Sequence, residues 1–382
     1  MKKTVSFITL GVVVFVLAGL NAYAQSATTF TGGLQAPSKI ISTPEGNLLV
    51  AEGGNAPNIG RITLIERSGN HRTLITGLPS GATAEGGFSG PTGLVLQGRT
   101  LYVCIGQGDS TIAGSEQGTE IPNPSPSSHL FSTVLAIQLK TPVDVTTGDF
   151  TMTVNDQAAF QIKPEVALVN AGGEKAFVSI IANFRDFTFG SRPNIVRPSN
   201  PFGIALIGRN LYTADAGQNL IWETNLNTKE TRVLVTLNNK ANPLPFGAPF
   251  VEPVPDSIRV FGKQLLVTYL TGFPFPAGQS EVHKINRVNN SHTTFIGGLS
   301  SAIDVLPVEG ANGQMRFYVL EFSTAFLTNA PGRLLLYESP TDAPKVLAEG
   351  LVSPTSIARD ESNGDIFITE MFTGRIMRVQ GN

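Results

Sequence analysis

A four-part unit recurs along this 382-residue chain, and a fixed repeat constrains the fold more than any single residue can. Each unit opens on a proline, a small residue or two and an apolar residue: Pro37-Ser38-Lys39-Ile40, Pro91-Thr92-Gly93-Leu94, Pro201-Phe202-Gly203-Ile204, Pro255-Asp256-Ser257-Ile258 and Pro354-Thr355-Ser356-Ile357, with Ala302-Ile303-Asp304-Val305 as a sixth that lacks the proline. An apolar, β-rich run follows each opening, at Leu48 to Glu52, Leu101 to Ile105, Leu211 to Asp215, Leu265 to Tyr269, Phe317 to Glu321 and Ile366 to Glu370. Third strands follow, as at Arg61 to Ile65, Glu281 to Ile285, Arg333 to Tyr337 and Arg375 to Val379. Fourth strands end on Gly-Leu, as at Gly77-Leu78, Gly298-Leu299 and Gly350-Leu351.

Four short strands in each unit of roughly 45 to 55 residues is the spacing of a propeller blade. The expected fold is therefore all-β: a six-bladed β-propeller. The chain stops after a third strand at Val379, and the missing fourth stands at the other end, where Thr28-Thr29-Phe30-Thr31-Gly32-Gly33-Leu34 nearly copies Thr293-Thr294-Phe295-Ile296-Gly297-Gly298-Leu299. The N-terminal strand should close the last blade and remove the free edges of an open arc.

The starts at Pro91 and Pro201 are about twice the usual distance apart, which predicts an insertion at about 106–198 in blade two. Within it, Gly106 to Ser128 reads as a Gly-, Pro- and Ser-rich loop, Val134 to Leu139 as the third strand and Phe177 to Ile181 as the fourth. Seven blades is the alternative. Residues 140–200 contain no complete start and second strand, so six is preferred.

The remaining composition bounds the setting. Forty Gly and 25 Pro fit many tight turns and few helices. Residues 1–24 read as a signal peptide: Met1-Lys2-Lys3, an apolar run from Val5 to Leu20, and the small-x-small site Ala22-Tyr23-Ala24. Residues 25–382 would then form one propeller domain, exported to the periplasm or the medium without a membrane anchor. A net charge of −2 gives no basic face to replace phosphate counterions, which excludes a nucleic-acid partner. The lone cysteine, Cys104, cannot form an internal disulfide and falls at a packed inward position.

At Ser199-Asn200-Pro201-Phe202-Gly203-Ile204, Ala214-Asp215-Ala216-Gly217-Gln218-Asn219 and Leu270-Thr271-Gly272-Phe273-Pro274-Phe275-Pro276-Ala277-Gly278, the chain resembles the ScyD/ScyE family, secreted proteins named after members encoded beside scytonemin-biosynthesis genes in cyanobacteria. The likeness covers nearly the whole mature chain and departs between about residues 141 and 198. It implies an NHL-like or gluconolactonase-like propeller and carries no established activity.

A propeller gathers distant residues at one mouth. Lys39, Gly93, Gly203, Ser257, Asp304 and Ser356 occupy equivalent channel-lining positions, and the second strands end on Glu52, Asp215, Glu321 and Glu370 in four of six blades. A ring of carboxylates is the ligand set of a hard cation such as Ca²⁺, or the acid and base of a lactone hydrolase. The competing reading is that each accepts N–H groups of its own turn. Asp256 and Asp304 are less repeated and better suited to a ligand, although Asp304 can also pair with Lys39 across the channel. Phe273 and Phe275 lie in a stiff turn on the same face, where aromatics would meet a ligand. His71, His129, His283 and His292 show no metal-ligand spacing.

The expected function is a non-catalytic binding protein for a small molecule, a glycan or an exported protein partner at the channel mouth, with Lys39, Asp256, Asp304, Phe273 and Phe275 as contacts. The alternative is a metal-dependent hydrolase or lactonase resembling gluconolactonase-like propellers, with Glu52, Asp215, Glu321 and Glu370 as metal ligands.

Overall fold

The structure is a computed structural model that describes residues 27–381, apart from Ser191, Pro193 and Ala311. The signal-peptide segment, residues 1–24, lies outside the described residues.

The chain is mostly β, and six sheets of four or five strands, antiparallel except for one short added strand, carry its core. Blade one runs Pro37–Ser42, Leu48–Glu52, Gly60–Ile65 and His71–Leu78, and blade two Pro91–Gln97, Thr100–Ile105, Thr133–Leu139 and Lys175–Asn183. Blade three is Pro201–Ile207, Asn210–Asp215, Leu220–Asn225 and Thr231–Thr236; blade four is Pro255–Phe261, Gln264–Tyr269, Ser280–Ile285 and His292–Leu299. Blade five comprises Ala302–Glu309, Met315–Glu321, Gly332–Tyr337 and Lys345–Leu351. Blade six takes Pro354–Arg359, Ile366–Glu370 and Arg375–Val379 from the C-terminal segment and Thr28–Thr31 from the N-terminal one. Thr28 pairs with Arg378 and Thr31 with Ile376, and the Phe30 ring packs 4.9 Å from that of Phe367.

The first strands contact one another in cyclic order, and the strand of blade two touches that of blade three directly, so no further sheet stands between them. The apolar core is divided in the same way, into one layer between each successive pair of sheets. Leu49, Ile62 and Leu74 meet Leu101, Val103 and Leu135 between blades one and two, and Ile40, Val50 and Ile65 meet Ala358, Phe367 and Ile376 where the ring closes. Sheet-on-sheet burial of this kind supplies the driving force that a single exposed blade lacks.

The Gly-Leu signature has a conformational cause. Gly33, Gly77, Gly298 and Gly350 have φ between 74° and 81°, a region costly to any residue with a Cβ, and the leucine that follows each is buried. The left-handed step turns the end of each outer strand inward and seats that leucine in the next interblade layer.

The insertion is more ordered than its composition suggested. Its Gly-, Pro- and Ser-rich part is not all loop: Thr111–Ala113 and Glu120–Pro122 pair there and join Phe187–Phe189 and Val196–Pro198 in a separate four-stranded sheet. Glu165–Val169 adds a fifth, outer strand to blade two, while Phe150–Thr151 runs parallel to Ile75 and Thr76 of blade one and ties the two blades together. A short helix, Val154–Ala159, is held at its start by a capping box between Thr153 and Asp156.

Candidate functional site

Each first strand begins where the second strand of its blade ends, as Pro37 opposite Glu52 shows. The turns between second and third strands, and the segments leading from one blade to the next, therefore lie on one face, the mouth. All the candidate residues lie near this face or in the channel behind it.

The four second-strand carboxylates are buried, and each is spent within its own blade. Glu52 accepts from the Gln35 N–H at 2.5 Å and Arg61 Nη2 at 2.7 Å, with Thr63 Oγ1 as a third donor. Glu321 accepts from the Ser300 N–H at 2.6 Å and from Arg333 Nε. Glu370 takes the Val352 N–H at 2.7 Å, Thr373 Oγ1 at 2.8 Å and Arg375 Nη2 at 2.7 Å. Asp215 holds the Asn200 N–H at 2.8 Å, Ser199 Oγ at 2.6 Å and Trp222 Nε1 at 3.1 Å. The pattern is a latch: the carboxylate pins the N–H of the residue that enters the first strand, and in three blades an arginine at the start of the third strand neutralises it. Blade four has Tyr269 at that place, and the residue that would donate the N–H is Pro253, which has none. Among the described residues, no three His, Cys, Asp or Glu side chains come together in a metal-holding group.

Asp304 is the centre of the channel. Its Oδ2 accepts from Lys39 Nζ at 3.0 Å, Arg259 Nη2 at 2.6 Å, Ser356 Oγ at 2.8 Å and the Ile357 N–H at 3.0 Å; its Oδ1 accepts from Arg259 Nε at 3.0 Å, the Val305 N–H at 2.9 Å and Ser257 Oγ. Donors from blades one, four, five and six thus converge on one fully buried carboxylate and plug the channel. Burial alone would push its carboxyl up; the charges of Arg259 and Lys39 and the hydrogen bonds of Arg259 and Ser257 outweigh this and hold it well below the usual range. Burial, then the Arg259 charge, push the Lys39 ammonium down to about 8 despite Asp304. Blades two and three contribute no channel side chain here. A Cβ on Gly93 would meet Phe202 O at 2.6 Å and one on Gly203 would meet Asp256 O at 2.3 Å, so these glycines let the first strands close up.

Asp256 stands apart from this cluster. It is buried, its Oδ2 has no partner, and burial pushes its carboxyl well above the ordinary value. The same place in other blades holds hydroxyl donors to the next blade: Ser38 Oγ reaches Pro91 O at 2.8 Å, Thr92 Oγ1 reaches Pro201 O at 3.0 Å and Thr355 Oγ1 reaches Pro37 O at 3.0 Å. A neutral Asp256 carboxyl has the O–H such a position uses.

The turn carrying Phe273 and Phe275 divides its aromatics between two tasks. Phe275 stacks on Phe326 of the neighbouring blade at 4.0 Å and so fastens the turn, whereas Phe273 stays 56% exposed beside Phe246 at 6.4 Å. The Phe273-Pro274 peptide is cis. Between this turn and the inserted sheet lies a cleft of about 500 Å³, walled by Glu120, Val196 and Arg197 on one side and by Glu252, Thr271 and Phe273 on the other, with Arg197 and Glu252 paired at 3.0 Å. Burial raises the Glu120 carboxyl above its ordinary value.

Phe273 is not alone on this face. Every strongly exposed phenylalanine among the described residues, namely Phe88, Phe189, Phe246, Phe250, Phe273 and Phe372, sits in a mouth-face segment. Sequence reasoning selected only the Phe-Pro-Phe-Pro turn. Phe372 could have been found by aligning the second-to-third-strand turns, since it occupies in blade six the turn that holds Phe273 in blade four. Reading histidines by spacing missed a cross-strand pair: His283 Nδ1 lies 3.2 Å from His292 Nδ1, with Glu281 Oε2 2.6 Å from His283 Nε2. Cys104 is fully buried, as its position predicted.

No protein-family model matches this sequence, and no curated protein matches it. Solved structures do resemble it. A protein of unknown function from Bacteroides thetaiotaomicron is 13% identical with a TM-score of 0.47, over 94% of this chain and 76% of that one. A putative oxidoreductase (glucose dehydrogenase) from Thermus thermophilus is 14% identical with a TM-score of 0.48, over 93% and 99%. An auxiliary nutrient binding protein from Bacteroides thetaiotaomicron is 11% identical with a TM-score of 0.48, over 92% and 75%.

Proposed function

We propose that this protein is a non-catalytic binding propeller that holds a small molecule or glycan with a flat apolar or aromatic face at its mouth. The observation that carries this reading is the segregation of the exposed phenylalanines to one face, where Phe273 borders a cleft of about 500 Å³ that also holds Glu120, Arg197 and Glu252. Exposed aromatic surface is unfavourable in water unless a ligand covers it, and convergent polar groups beside it give orientation. The carboxylates that a metal-dependent hydrolase would use are already taken by arginines and backbone N–H groups, which favours binding over hydrolysis. The signal-like N-terminal segment and the likeness to the ScyD/ScyE family support an exported setting for this role.

A thermal-shift screen of the mature chain against aromatic small molecules and oligosaccharides tests the reading. A hit should lose about tenfold or more in affinity in Phe273→Ala and Phe189→Ala, whose exposed rings contribute little to folding. Full retention of the hit by the double variant would move the site off this face.

A further inference from the structure

The channel has a second opening. Beyond the Asp304 plug, on the face opposite the mouth, the C-terminal halves of the first strands of blades one to four line an open pocket of about 300 Å³. Ile41, Leu96, Leu206 and Val260 are among its apolar lining, and Lys39 and Arg259 are its charged groups. Two cations there face one carboxylate, leaving a surplus positive charge beside the apolar side chains of an open pocket. Asp304 has its two oxygens filled by seven donors and has no capacity left. Among the described residues, Lys39 Nζ donates only to Asp304, and Arg259 uses Nε and Nη2 there and on Ile357 O while Nη1 has no partner.

We propose that this cavity binds a small organic anion, whose carboxylate is taken by Lys39 Nζ and Arg259 Nη1 and whose hydrocarbon body lies along Ile41, Leu96, Leu206 and Val260. A buried surplus charge is costly, and an anion that neutralises it while filling apolar space recovers both terms. This site is separate from the mouth, since the Asp304 cluster blocks the channel between them. Protonation and binding are linked. The charged groups that face Lys39 are Arg259 and Asp304, and a bound carboxylate adds a counterion that holds its proton. Affinity should therefore fall as pH rises through about 8.

Titration calorimetry with the mature chain, using octanoate, octanol and octylammonium, tests this. Octanoate should bind once per chain at pH 7, at least about tenfold more tightly than octanol, with no binding of octylammonium and a clear loss of octanoate affinity at pH 9.5. Val260→Glu adds a negative charge at the exposed rim and should weaken octanoate about tenfold, while Phe273→Ala at the mouth should leave it unchanged. Lys39→Met should abolish the preference for octanoate over octanol; if that variant does not fold, Val260→Glu and the pH series decide. Absence of octanoate binding, equal binding of octanol, or a loss in Phe273→Ala but not in Val260→Glu would overturn the assignment.

Discussion

Arg259 and Asp304 meet across the boundary between blades four and five in a two-pronged pair, Nε to Oδ1 at 3.0 Å and Nη2 to Oδ2 at 2.6 Å. The same guanidinium also donates to Ile357 O of blade six at 2.7 Å, so one side chain joins three sheets at the axis. The fork geometry of arginine allows this, and lysine could not replace it.

Removing the carboxylate strands one buried cation, Lys39, and one half-buried cation, Arg259. Asp304→Asn should destabilise the fold by roughly 3–5 kcal/mol, whereas Lys39→Met, which leaves the Arg259 pair intact, should cost clearly less. The pH dependence has two limbs. The folded Asp304 carboxyl lies below its unfolded value, so its contribution is complete above about pH 5 and is lost as acid is added below that. Lys39 is lowered to about 8 from 10.5, so the unfolded chain binds more protons between those values and stability should rise with pH across that window. Urea titrations of wild type and Lys39→Met from pH 3 to 10 should show the alkaline rise only in the wild type.

Asp256 behaves in the opposite sense. Its folded carboxyl is raised by burial, so its neutral form is stable at low pH, and above the unfolded value of about 4 the unfolded chain loses a proton that the folded chain keeps. Stability contributed here declines as pH rises above about 4. Asp256→Asn, which keeps a donor without the charge, should be more stable than wild type at pH 7 and lose this slope. Equal melting temperatures at pH 7 would show the carboxyl to be solvated.

The latches predict indifference to divalent ions. Chelation by EDTA, or addition of Ca²⁺, should leave the melting temperature unchanged, because arginine already neutralises Glu52, Glu321 and Glu370. Glu321→Ala should cost roughly 2–4 kcal/mol through the orphaned Ser300 N–H and the unpaired Arg333. A calcium-dependent shift of several degrees would restore the metal reading.

Two glycines of one signature separate backbone strain from crowding. Gly77 and Gly350 share a φ of 75°, but a Cβ on Gly77 would lie 2.1 Å from Met152 O, and one on Gly350 has nothing within 4 Å. Gly350→Ala should cost about 1–2 kcal/mol for the dihedral alone, and Gly77→Ala measurably more, by equilibrium denaturation.

The repeat was legible because each blade solves the same local problem with the same residues. The carboxylates at Glu52, Glu321 and Glu370 recur because the same backbone N–H needs an acceptor, and Tyr269 replaces them where Pro253 removes that N–H. Repetition therefore goes with a structural contact, but the N–H groups that Glu52, Glu321 and Glu370 accept belong to the segment entering the first strand and not to the carboxylate's own turn. Lys39 and Asp304 pair from equivalent positions alone, whereas Arg259 lies two residues beyond Ser257, on the same side of the strand but outside the repeated position. The phenylalanines of the mouth follow no period. Phe88, Phe189 and Phe246 lie in connecting segments whose convergence depends on the ring, and the inserted sheet that walls the cleft is built of strands of three residues each, with little pattern to read.

The clasp between Thr28 and Arg378 joins residues 350 positions apart. On a ribosome Thr28–Thr31 emerges long before Arg375–Val379, so until the later strand is made the earlier one has no partner. A nascent chain that stops before Arg375–Val379 therefore cannot close this blade, and a closed ring reports that the later strand has been made and has found the earlier one.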